Sequence, residues 1–156
     1  MSVAFAFLAA ALFGVPQACD PGRPQTAALA TVHGFRDRKG NLRIAIYRAS
    51  EDELLASGRY VQRLDVPMTA GGDISVCAPV PAAGDYVVVA LHDRDANGKL
   101  SPFRDGAGFS RNPKLGLARP KVETVRVRLD GVTPMRIELN YLQGLKPAPW
   151  RQPHTR

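Results

Sequence analysis

At 156 residues with 45% hydrophobic content, the chain is sized for one domain with short appendages, and its core does not require disulfides. The 21 Lys and Arg outweigh 14 Asp and Glu to give a net charge of +7, which attracts anionic polymers or lipid head groups without specificity. The basic residues are scattered and form no recognition-helix pattern, so nucleic acid is not the expected partner.

Residues 1–18 carry no charge, and Val3–Val15 forms an apolar, alanine-rich run that has the character of a signal-peptide core. It falls short of the roughly 20 apolar residues that a membrane span needs, and no later run approaches that length. The expected organisation is a signal peptide over 1–18, a linker over 19–29, a folded domain over 30–142 and a Pro-rich basic tail over 143–156. The location that follows is periplasmic or secreted. A buried N-terminal helix is the alternative, although the Pro and Gly residues from Pro16 to Pro24 would cut it from the domain.

Cys19 follows the presumed cleavage point and Cys77 sits in a predicted strand, so in an oxidising compartment the two can pair and tie the N-terminus to a sheet. Lipidation of Cys19 is the lesser alternative, since only Ala18 and Cys19 match that motif. Ala30–Phe35 and Leu42–Tyr47 read as strands of a hairpin turning at Asp37–Asn41. In the second strand Leu42, Ile44 and Ile46 share one face. Ser50-Glu51-Asp52-Glu53 has the form of a capping box and predicts a short helix ending near Gly58. Tyr60–Val66 and Asp73–Val80 are further strands, with Cys77 on the face opposite Ile74, Val76 and Ala78.

Tyr86–Leu91 is continuously apolar, as a central strand covered on both faces would be. It runs into His92-Asp93-Arg94-Asp95-Ala96-Asn97-Gly98-Lys99-Leu100-Ser101. Oxygen side chains at Asp93, Asp95, Asn97 and Ser101, with the carbonyl of Lys99, follow the spacing of a calcium loop. The closing acid is missing: Arg104 stands at the twelfth position and Asp105 comes one residue late. An Asx-rich turn without a cation explains the same residues. His92 beside Asp93 raises a hydrolytic alternative, but neighbours on a strand face opposite sides, and no second His or Cys cluster supports a zinc site.

Residues 102–120 form a long loop rich in Gly and Pro with Phe103 and Phe109 embedded. It reads either as a flap pinned by its own aromatics or as a lid presenting His92, Arg104, Arg111 and Lys114 to an anionic ligand. Val122–Leu129 and Met135–Tyr141 alternate as strands of a second hairpin around Asp130-Gly131. The tail, with Trp150 beside Arg151, is expected to be extended and mobile. These elements amount to an all-β, antiparallel β-sandwich of about seven strands, immunoglobulin-like or transthyretin-like, with one short helix.

The segments GNLRIAIY (40–47), PAAGDYVVVALHDRDANGKLS (81–101), GAGFSRN (106–112) and MRIELNY (135–141) occur in an order that resembles the bacterial family called domain of unknown function 2141. The resemblance covers about 30–142 and implies a small exported β-sandwich with no activity to carry over. Ser101 and Arg111 depart from it by lowering the negative charge near the loop. Two functions follow as expectations. One is a cell-envelope structural or binding module, with an unidentified envelope partner or anionic polymer and with calcium at the Asp/Asn loop. The other is a hydrolase acting on an anionic sugar or phosphoester through His92, Asp93 and the basic flap.

Overall fold

The alternation of Leu42, Ile44 and Ile46 in one strand and of Ile74, Val76 and Ala78 in another gives each of two sheets one apolar face, and these faces close on a single core. The computed structural model describes residues 11–23 and 25–151. Across the smaller sheet lie β1 (Leu12–Gly14), β5 (Ile74–Pro79), β2 (Ala27–His33) and β9 (Val132–Glu138). The larger sheet runs β11 (Lys146–Pro149), β10 (Asn140–Gln143), β7 (Gly106–Phe109), β6 (Gly84–Asp93), β3 (Asn41–Arg48) and β4 (Gln62–Pro67). Its seventh strand, β8 (Val127–Leu129), pairs with the start of β6. The larger sheet is antiparallel throughout, whereas β1 runs parallel to β5, and β2 parallel to β9, in the smaller. The all-β sandwich expected from the sequence is the architecture of the protein.

β6 is the centre of the larger sheet and is covered on both faces. Tyr86, Val88 and Ala90 enter the core between the sheets, and Val87 and Val89 join Leu54, Phe109, Val122 and Val125 in a second cluster on the outer face. On its far edge β7 and β8 follow one another, and the buried Ser110 bridges them. Its backbone N–H donates to the Val88 carbonyl (2.8 Å), its hydroxyl accepts from Val88 N–H (3.1 Å), and the same hydroxyl donates to the Val125 carbonyl. Gly108 lets β7 approach the end of β9, since a Cβ there would lie 2.5 Å from the Glu138 carbonyl oxygen.

Several local expectations are corrected. The two predicted hairpins do not form: β2 and β3 lie in different sheets, as do β8 and β9. In each case both strands carry an apolar face for the same core, so the connection passes over the end of the sandwich and the strands pair elsewhere. Ser50–Ala56 is a series of turns, in which Leu54 N–H donates to Ser50 C=O (3.0 Å) before Leu55 enters the left-handed region at φ +60°. So short a run does not repay helix nucleation, and Leu54 is instead buried under the outer face. The one α-helix among the described residues, α1 (Val122–Val125), falls where a strand was expected. Its first N–H donates to a Glu51 carboxylate oxygen (2.8 Å), and Val122 and Val125 are buried.

At the chain ends, residues 1–10 of the expected signal segment lie outside the described residues. Leu12–Gly14 is strand β1 against β5, and a 3-10 turn at Pro16–Cys19 buries Ala18. The expected tail is ordered to Trp150: β11 pairs with β10, and the Trp150 ring meets Tyr141 edge-on while Arg36 stacks over it at 4.6 Å. Residues 152–156 of that tail lie outside the described residues. No helix among the described residues is long and apolar enough to cross a membrane.

Candidate functional site

β6 delivers His92 to the inner face, where it is fully buried. Its Nε2 lies 2.7 Å from the Lys39 carbonyl, and because a carbonyl only accepts, this nitrogen carries the proton. Nδ1, also at 2.7 Å, therefore accepts from the Tyr141 hydroxyl, whose oxygen accepts Arg36 N–H at 3.1 Å. Burial holds the His92 imidazole below its ordinary pKa, outweighing the Lys39 carbonyl and Asp37, which favour the charged form. Burial also pushes the Tyr141 phenol up to about 12. The surrounding turn is held by Asp37, which accepts the Arg94 guanidinium through Nε (2.8 Å) and through Nη2. Burial would raise the Asp37 pKa, but the bonds from Arg94 and from Lys39 N–H hold it below the usual carboxylate range. Gly40, at φ +71°, makes the turn possible: a Cβ would sit 1.9 Å from the Asp93 carbonyl oxygen.

The loop after β6 brings Asp93, Asp95 and Asp105 together, with one carboxylate oxygen of each within 4.8 Å of the others. Asp93 and Asp105 are buried and shape the loop. Asp93 accepts Asn97 N–H (3.2 Å) and Gly98 N–H (2.7 Å), and Asp105 accepts Arg94 N–H (2.9 Å) and Ser101 N–H (2.7 Å). Asn97 turns its amide oxygen back onto Lys99 N–H (2.8 Å) and donates to Asp95 (3.1 Å). Ser101 directs its carbonyl to the backbone N–H groups of Arg104 and Asp105, and Lys99 lies on the exposed rim. Asp93 and Asp95 of the alternating set thus converge with Asp105, which that set does not include. The sequence signal for Asp105 is present, but it sits one residue outside a calcium-loop register.

The four residues expected on a ligand flap do not converge. His92 is sealed in the core, and Arg104 reaches Asp95 at 3.5 Å. Arg111 donates to the Glu123 carbonyl of α1 (2.8 Å). Lys114 lines a shallow cleft with Asn112, Glu138 and Pro149. Cys19 and Cys77 are joined by a disulfide at a Cα separation of 6.1 Å, and Cys77 is buried on the outer face of the smaller sheet with Ala18 and Ala27.

The outer face of the larger sheet carries a concavity that no motif in the sequence marks. A hollow of about 250 Å³ is lined by Leu55, Leu100, Phe109, Leu115, Leu117 and Leu142. It adjoins a second of about 270 Å³ that shares Leu55, Leu100, Ala107 and Phe109 and adds Arg43, Tyr47, Tyr60 and Arg63. Together the two are walled by residues of six strands and three loops distant in sequence. The only available signal was the leucines scattered among the glycines and prolines of those loops. Leu100 and Leu117 remain 51% and 73% exposed.

A profile of the bacterial family DUF2141, described as an uncharacterised protein conserved in bacteria, matches residues 30–136. No curated protein and no solved structure matches the chain.

Proposed function

The chain belongs to the DUF2141 family, and on that premise we propose that it is an exported, non-catalytic binding module of the cell envelope whose ligand sits on the outer face of the larger sheet. The observation that carries this is the apolar groove, in which exposed Leu100 and Leu117 stand over a floor of Phe109 and Leu142. Contiguous exposed apolar surface of this kind marks interaction sites. Export is supported by the Cys19–Cys77 disulfide, a bond that persists in oxidising compartments, and by the uncharged apolar run before it. A hydrolytic role through His92 finds little support, because both ring nitrogens are engaged and the ring is closed to solvent. The test is binding of the neutral dye Nile red. The intact protein is expected to bind it, and Leu117→Lys, at an exposed position, to weaken binding several-fold without lowering the melting temperature. Unchanged binding in that variant would count against the groove.

Calcium at Asp93, Asp95 and Asp105 is the second part of the proposal. It is supported by the convergence of three carboxylates on one loop, a ligand type that suits a hard cation. Melting with calcium and with chelator tests it.

A further inference from the structure

We propose that the groove takes an anionic single-chain amphiphile of the fatty-acid type, its acyl chain along the leucine-lined hollow and its carboxylate at Arg63. This rests on the reading of the groove as the binding site.

The two adjoining hollows are both mainly apolar and differ in their free charge. In the first, the one carboxylate, Asp105, is buried and bonded through both oxygens to backbone N–H groups, and the one guanidinium, Arg119, is taken up by the Glu51 carboxylate and the carbonyls of Glu51 and Leu54. The second contains no carboxylate and is lined by two arginines and two tyrosines. Arg43 is committed, since Asp65 takes its Nε and Nη2 at 2.7 and 3.0 Å and its Nη1 donates to the Gly98 carbonyl. Arg63 is not: its guanidinium lies 4.7 Å over the Tyr60 ring, and among the described residues no carboxylate comes within 4.0 Å of it. A guanidinium stacked on one face keeps its N–H edge for a planar oxyanion. The hydroxyls of Tyr47 and Tyr60, which have no protein hydrogen-bond partner among the described residues, add donors at the same end.

Chain chemistry decides between an acyl chain and a peptide. The hollow lies on a sheet face, so its floor of Phe109 and Leu142 presents side chains and not the backbone ladder of a strand edge. An extended peptide laid there would bury unpaired N–H and C=O groups, whereas an acyl chain carries none. The net charge of +7 draws an anion toward the protein and not away from it.

The experiment is calorimetric titration of the full chain with dodecanoate, dodecyl maltoside and dodecyltrimethylammonium, each below its micellar concentration, and with acetate. Dodecanoate is expected to bind about tenfold more tightly than the neutral maltoside, as one charge-assisted contact allows, with the cation weakest and acetate not detected. Arg63→Gln should remove the preference for dodecanoate and leave the maltoside affinity unchanged. Equal affinity for all three amphiphiles, or a preference that survives Arg63→Gln, would overturn the anionic assignment while leaving the groove as a binding site. No binding of any amphiphile would overturn both. Tighter binding of an apolar peptide than of dodecanoate would overturn the acyl-chain assignment alone.

Discussion

His92 acts as a strut whose two nitrogens join β6 to the Lys39 turn and to Tyr141 of β10, and its neutrality is part of the fold. In the unfolded chain the imidazole takes up a proton near pH 6.5, while in the folded chain burial delays that uptake to lower pH. Between those two values the unfolded state holds more protons, so stability falls as pH falls from 7 toward 5. Asp37 and Asp65 are held below the usual carboxylate range, Asp65 chiefly by its bond from Arg43, so what they contribute is lost only below about pH 4. Urea unfolding at pH 7 and pH 5 should therefore show a lower midpoint at pH 5, and His92→Gln should flatten that difference at some cost to stability at both. An equal pH dependence in the two proteins would contradict this role. Strand alternation already implied that His92 and Asp93 point apart. That His92 points at a tyrosine 49 positions away depends on the register between β6, β7 and β10, which no local pattern encodes.

Among the elements, β6 was the most legible, because a short unbroken apolar run from Tyr86 to Leu91, rich in β-branched valine and bounded by Gly84 and the Asp/Asn loop, reads as a strand covered on both faces. Its loop was legible in composition but not in closure. Asp105 enters the acidic centre because Ser101–Asp105 folds as a turn, with Asp105 N–H on the Ser101 carbonyl (2.9 Å), and this carries the carboxylate back toward Asp93. If calcium binds there with a dissociation constant of about 0.1–1 mM, 10 mM calcium should raise the melting temperature by about 3–10 °C. Asp95→Ala, at an exposed position, should abolish the rise. No shift with calcium in the intact protein would remove calcium from the account. The short helix was misplaced for a tertiary reason. Ser50-Glu51-Asp52-Glu53 has a helix-start signature, but Glu51 spends its carboxylate on Val122 N–H and Arg119, and so begins a helix 71 residues away.

At the scale of the molecule, the class of fold followed from period-two alternation, while the partition of strands between sheets did not. Both predicted hairpins paired strands that are adjacent in sequence but belong to opposite sheets. The groove was hidden for the same reason: Leu55, Leu100, Leu117 and Leu142 meet only after β3, β6, β7 and β10 are ordered side by side. The N-terminal arrangement carries its own consequence. Cleavage after Ala18 would take β1 away, bare the edge of β5, and leave Cys19 as the first residue, still tethered through Cys77.

The central claim is that the outer face of the larger sheet is a binding surface, and backbone amide chemical shifts recorded during a dodecanoate titration test it most directly. The account predicts saturable shifts confined to the groove, around Tyr47, Leu55, Arg63, Leu100, Phe109 and Leu117, with the core strands of the smaller sheet unmoved. Shifts that are absent, or that are spread over the smaller sheet and leave these residues unaffected, would contradict it.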